Sequence, residues 1–253
     1  MQTHETSPPA TAAALPAERL GTLLGVWAHP DDEAYLSAGL MATARAAGHR
    51  VVVATATRGE HGTADPGAWP PARLAGLRER ELAESLAAVG VEEHHWLGHV
   101  DGTLDRVDPR AGAGQVAELL DRVRPDIVVT FGPDGMTGHP DHRAVSAWVT
   151  DAWHRTGRVA RLWYATLTPE FHARWGAVND TAGLWPDPAA APRTPGGELA
   201  HVVRCEGPML TRKYEALRSH RSQTGNLIEL VGEDVYRDWW AIEYFTTPGA
   251  SRR

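Results

Sequence analysis

The chain has 253 residues, 42% hydrophobic and 23% charged, which is enough to bury a sizeable core. Its 25 Lys and Arg against 32 Asp and Glu leave a net charge of −7, so no global positive field draws it to nucleic acid or an anionic membrane. One cysteine, Cys205, excludes an intrachain disulfide and a multi-cysteine zinc site, and the sole lysine, Lys213, sits outside any phosphate loop.

Residues 1–18, rich in Pro, Ala and Thr, read as a disordered tail without the features of a secretory signal, ahead of a single domain over 19–253. The run Leu23–Ala28 predicts a buried strand, and an Ala/Leu-rich helix follows from Glu33 to Ala47, stopped by Gly48. Val51–Ala56 is a second buried strand, β-branched and without polar alternation. Helical spacing returns over Arg73–Val89, and Glu93–Leu97 marks a weaker third strand. Gln115–Val123 predicts a helix, Asp126–Phe131 a fourth strand, Arg143–Arg155 a helix and Arg161–Thr166 a fifth strand. Strands alternating with helices of this length imply an α/β fold, a doubly wound, Rossmann-like, mostly parallel sheet with helices on both faces. Periodicity fades over Trp175–Gly197, which reads as a lid-like excursion. A helix over Pro208–Ser219 and an edge strand within Trp239–Phe245 complete the expectation.

Open parallel sheets bind ligands beyond the carboxyl ends of their strands. After the first strand comes Ala28-His29-Pro30-Asp31-Asp32-Glu33; after the fourth, Gly132 to His142 with His139-Pro140-Asp141-His142 at its end. Both clusters fall on the same rim although more than a hundred residues separate them. His29 and Asp32, three apart at a helix start, can converge on one point, and His142 would complete a two-His, one-carboxylate metal set with an open position. Asp31 between them would face the metal's water, and Asp141 is a candidate to orient a histidine from behind. His139 reads as an additional ligand, a catalytic helper or a turn residue, held to the rim by Pro140. Taken singly, each cluster is also compatible with ordinary turn and helix-capping chemistry.

The AHPDDE and HPDH pair resembles the signature of the PIG-L/LmbE zinc deacetylases. The similarity runs from about residue 22 to 225, through Thr57-Arg58-Gly59-Glu60, Arg78 with Glu81, Leu97-Gly98, Asp101-Gly102 and Ser219-His220-Arg221-Ser222-Gln223. The resemblance implies His29, Asp32 and His142 as metal ligands, Asp31 as general base and His139 as the group assisting the tetrahedral intermediate. It also matches a sugar-binding Arg and Asp to Arg78 and Asp101. The competing reading of Arg78 is a solvated helix charge paired with Glu81. The implied cofactor is zinc, with iron or another divalent cation suited to the same ligands.

The implied partner is a small N-acylated amino sugar, and the implied reaction is hydrolysis of its acetamide in the cytoplasm. A rival hydrolase would cleave a larger acyl group from a thiol or natural-product conjugate, a choice that falls to the 175–197 segment. The rival of another class is a non-catalytic sugar- or nucleotide-binding module. Gly112-Ala113-Gly114-Gln115-Val116-Ala117 fits a dinucleotide pattern, but it follows a polar stretch rather than a strand. Trp163, Trp175 and Trp185 are candidates to stack on a sugar ring.

Overall fold

A computed structural model describes residues 15–185 and 190–249. In chain order the first half comprises β1 (Leu23–Trp27), α1 (Asp32–Ala46), β2 (Val51–Thr55), α2 (Pro71–Ala88), β3 (Glu93–Trp96), α3 (Pro109–Val123) and β4 (Ile127–Phe131). The second half comprises α4 (Pro140–Arg155), β5 (Arg161–Thr166), α5 (Pro169–Ala182), β6 (Leu199–Arg204), α6 (Gly207–Ser219), α7 (Arg221–Val231), α8 (Glu233–Trp239) and β7 (Ile242–Thr246). These strands form one seven-stranded sheet in the order β3-β2-β1-β4-β5-β7-β6.

Every residue of β1, β2 and β4 is buried, as unbroken apolar runs require when helices cover both faces of a sheet. The first five strands pair in parallel, Leu23 of β1 lying between Val51 of β2 and Ile127 of β4. Only β7 runs the other way, so the turn leading into it shares a rim with the carboxyl ends of the parallel strands. The chain reverses its direction of travel across the sheet between β1 and β4. A crevice opens at such a switch point. Helices α1 and α2 pack with α6, and α3 packs with α4. Right-handed crossovers put these two groups on opposite faces.

Several elements differ from expectation. The strand anticipated at the sheet edge is β7, and it is internal, because β6 adds outside it. Helix α3 begins at Pro109 rather than near Gln115, since Asp108 caps it by accepting the Arg110 N–H and Pro109 opens it. Gly112 and Gly114 are therefore helix-interior residues, and a Cβ at Gly112 would strike the Trp148 ring. The first part of the 175–197 segment is the end of α5, which closes at Gly183 in the left-handed region (φ 65°). Most of the expected tail, residues 1–14, lies outside the described residues; Leu15 is anchored, its N–H donating to His201 Nδ1 at 3.1 Å. Among the described residues no helix is long and apolar enough to cross a membrane.

Candidate active site

The two rim clusters meet at the crevice. From β1 the chain passes through His29 and Pro30 to Asp31, the residue before α1, whose backbone adopts φ 120° and ψ −31°. Such a conformation costs a non-glycine residue about 1–3 kcal/mol and persists only where its surroundings enforce it. Glu33 helps to enforce it: one carboxylate oxygen accepts the Asp31 N–H at 2.9 Å, while the other accepts Ser85 Oγ and His220 Nε2, each at 2.7 Å. From β4 the chain loops through Gly135, whose positive φ (72°) and close approach to Arg143 leave no room for a Cβ. His139 then caps α4, its Nδ1 accepting the Asp141 N–H at 3.2 Å, with Pro140 as the first helical residue.

His29, Asp32 and His142 converge. His29 Nδ1 lies 3.2 Å from His142 Nε2, His142 Nε2 lies 3.4 Å from Asp32 Oδ1, and His29 Nδ1 lies 3.7 Å from Asp32 Oδ2. Zinc bonds of about 2.0–2.1 Å in tetrahedral geometry separate ligand atoms by about 3.3 Å, so this spacing suits such an ion. The far sides of both rings are already committed. His142 Nδ1 donates to the Gly135 carbonyl at 3.0 Å, and His29 Nε2 donates to Asp101 Oδ1 at 3.1 Å and Asp141 Oδ2 at 3.2 Å. Once His29 gives up its proton, rings so tied present both inner nitrogen lone pairs to the space beside Asp32. A cation there would satisfy both, and the donor set of two imidazoles and a carboxylate fits a divalent metal.

The surrounding charge agrees. Burial alone would push the His29 imidazolium down, but Asp101, Asp141 and Asp32 outweigh it and raise its pKa to about 10. This point on the rim strongly favours positive charge. His142 is held well below its usual range, first by burial and then by the neighbouring His29 and His139. Its ring stacks on Phe131 at 4.1 Å between centroids. Asp141 is fully buried and accepts the Gly102 N–H at 2.8 Å and the Leu104 N–H at 3.0 Å, which fixes the carboxylate against His29.

Arg78 departs from the solvated-charge reading. Only 3% exposed, it reaches into the site rather than to Glu81. Its Nη2 lies 3.3 Å from Asp31 Oδ2 and donates to the Pro30 carbonyl, while Nη1 donates to the Gly59 carbonyl at 2.9 Å. A Cβ at Gly59 would collide with the guanidinium, which accounts for glycine in Thr57-Arg58-Gly59-Glu60. Glu81 turns instead to Ser222, accepting its N–H at 2.8 Å and its hydroxyl at 2.6 Å. Asp31 is raised to about 6, chiefly by burial, with Arg78 opposing and Asp32 reinforcing the shift.

A cavity of about 430 Å³ opens over these groups, lined by His29, Asp31, Asp32, Arg78, Asp101, His139 and His142 among others. Exposed His139 stands at its mouth, its ring 5.0 Å from that of His29. Asp141 lies behind the wall. Of the three candidate tryptophans only Trp185 lines this cavity; Trp163 is buried against His201, and Trp175 faces a separate cleft. Tyr35, His61, Gln223 and Trp240 also line it, and sequence reading gave them no role. Gln223 alone carried a signal, as the end of the Ser219–Gln223 motif.

The PIG-L model, described as GlcNAc-PI de-N-acetylase, matches residues 24–153, from β1 almost through α4. The chain belongs to the PIG-L family. A 1D-myo-inositol 2-acetamido-2-deoxy-alpha-D-glucopyranoside deacetylase from Saccharomonospora viridis is 37% identical over 227 residues, covering 79% of this chain and 84% of that protein. A protein of the same name from Kineococcus radiotolerans is 33% identical, covering 79% and 68%. Among solved structures, the N,N'-diacetylchitobiose deacetylase from Pyrococcus horikoshii superposes with a TM-score of 0.61 at 20% identity, covering 92% of this chain and 84% of that one. The hydratase GalB from Pseudomonas putida superposes equally well, with a TM-score of 0.63 at 15% identity, covering 90% and 96%. The PIG-L fold therefore hosts more than one reaction, and the chemistry has to be argued from the site.

Proposed function

We propose that the protein is a metal-dependent N-deacetylase that hydrolyses the acetamide of an amino sugar or its conjugate. The observation that carries the reading is the convergence of His29 Nδ1, His142 Nε2 and Asp32 within 3.2–3.7 Å beside a half-buried Asp31 with a strained backbone. The names of the 37% and 33% identical relatives support the same substrate class. His29, Asp32 and His142 would hold the ion, zinc in the first instance. When bound, such an ion supplies the Lewis acidity that polarises an amide carbonyl and acidifies water.

The remaining work falls to the chain's own groups. Asp31, with a pKa of about 6, is ionised at neutral pH yet accepts a proton readily, as a general base should. It takes the proton from the attacking water and returns it to the amine nitrogen as the C–N bond breaks. His139, lining the cavity with its ring 5.0 Å from that of His29, would donate to the carbonyl oxygen as negative charge grows there. Arg78 and Asp101 offer a donor and an acceptor to sugar hydroxyls, and Arg78 also holds the Asp31 carboxylate in place.

Asp31→Asn tests the assignment. It keeps the shape and should keep the metal, while amine release from an N-acetylglucosaminide falls about 10²–10⁴-fold, the usual worth of a general base. His142→Ala should instead lose stoichiometric metal on dialysis. Wild-type turnover by the Asp31→Asn protein overturns the base assignment, and full metal retention by the His142→Ala protein overturns the ligand set.

A further inference from the structure

The cavity has two unlike halves, and strand order decides where each lies. The stretches after β2 and β3 bring His61, Gly62, Asp101 and Gly102 to one side of the β1/β4 crevice, where Arg78 joins them. Gln223 of α7 extends this polar half, donating through Nε2 to the Gly62 carbonyl at 3.1 Å. On the other side the loop after β4 supplies Met136, the chain beyond α5 supplies Leu184 and Trp185, and the turn into β7 supplies Trp240. Leu227, one turn beyond Gln223 on α7, and Leu36 on α1 add further apolar lining. It is held in place: Trp185 Nε1 donates to the Met136 carbonyl at 2.8 Å, and Trp240 packs on Tyr35 with centroids 4.7 Å apart.

We infer that the apolar half binds the acyl chain, so that the enzyme prefers N-acyl amino sugars whose acyl group is longer than acetyl. The inference rests on the deacetylase reading above. A secondary amide is trans, so the groups on its nitrogen and on its carbonyl carbon leave in opposite directions. With the carbonyl at His29, Asp32 and His142, a sugar bonded to Arg78 and Asp101 fills the polar half and sends its acyl chain to the other. Acetyl puts one methyl there and leaves the exposed parts of Leu227 and Trp185 facing water. A longer chain covers them, and apolar lining of this kind is how pockets hold alkyl groups. The reaction is unchanged: water adds to the carbonyl carbon, the C–N bond breaks, and the nitrogen leaves with a proton as the amine beside a longer carboxylate.

The test is a series of N-acetyl, N-butyryl and N-hexanoyl glucosamine assayed for released amine with the metal-loaded enzyme, alongside hexyl N-acetylglucosaminide. The expected result is a rise in kcat/KM of up to about fourfold per added acyl methylene, with little gain from the hexyl glycoside. Leu227→Asp should lower the hexanoyl-to-acetyl ratio of kcat/KM, a readout independent of how much protein folds. Cleavage of acetyl with refusal of butyryl and hexanoyl overturns the inference and leaves the deacetylase reading standing. A gain from the hexyl glycoside alone overturns it too, because the wall then serves the group on the sugar's anomeric carbon. Cleavage of no member removes the deacetylase reading itself.

Discussion

Glu33 is the residue on which the shape of the site depends most, and Glu33→Gln exposes that dependence. Its carboxylate is fully buried and receives three donors, the Asp31 N–H, Ser85 Oγ and His220 Nε2, with its own pKa held down by His220 against the effect of burial. Glutamine keeps the volume but offers one acceptor oxygen, and its NH₂ must face a donor. At least one buried donor is left unpaired, costing about 1–3 kcal/mol. The buried His220 also loses its counter-charge, and breaking a buried pair costs about 3–5 kcal/mol when the survivor stays charged. His220 can shed its proton, so the expected net loss is about 3 kcal/mol. For a chain of this size that lowers Tm by roughly 6–12 °C. The same change releases the Asp31 backbone from φ 120°, so kcat should fall further than the folded fraction does, while bound metal stays stoichiometric. Thermal unfolding, metal analysis and turnover on one preparation separate these effects. A Glu33→Gln protein with unaltered Tm and kcat would refute the claim that this carboxylate holds Asp31.

Two further outcomes follow from buried charge elsewhere. Lys213, the chain's only lysine, is fully buried, with Nζ donating to Glu243 Oε1 at 2.6 Å and the Tyr35 carbonyl at 2.8 Å. Lys213→Met strands Glu243 and should cost about 3–5 kcal/mol in urea unfolding, part of which Lys213→Met/Glu243→Gln recovers; equal stability of single variant and wild type would remove the pair's role. His201, stacked on Trp163 with centroids 4.7 Å apart, is held down to about 4 by burial. The unfolded chain, with the ordinary value near 6.5, binds a proton that the fold refuses, so stability falls as pH drops from 6.5 to 4. At pH 5 the loss is about 2 kcal/mol, and His201→Gln should lack that component of the slope in urea titrations at pH 7 and pH 5.

What the sequence revealed and what it hid divide along a physical line. Strands β1, β2 and β4 announce themselves because burial on both faces demands unbroken apolar residues, and the rim clusters follow directly from where those strands end. Strand β6 alternates buried and half-buried residues and carries His201 inward, so its pattern makes sense only once Trp163 and Phe245 lie against it. Helices α7 and α8 escape prediction from the sequence for a related reason. His220 ends α6 and opens α7 within one residue, and its partner Glu33 lies 187 positions away.

Arg78 and Glu81 make the same point inside the site. Spaced i and i+3 on one helix, they read locally as an exposed pair. Strand order instead turns that face of α2 inward, and each finds a stronger partner, Arg78 at Asp31 and Glu81 at Ser222, 141 positions away. Local spacing reports which side chains could meet along an element. Which of them do meet is decided by the crossovers, because a buried charge pairs with whatever complementary group the topology brings within reach. A motif at a strand end is therefore legible as chemistry before the fold is known, whereas a helix-borne charge acquires its role only when its neighbours arrive.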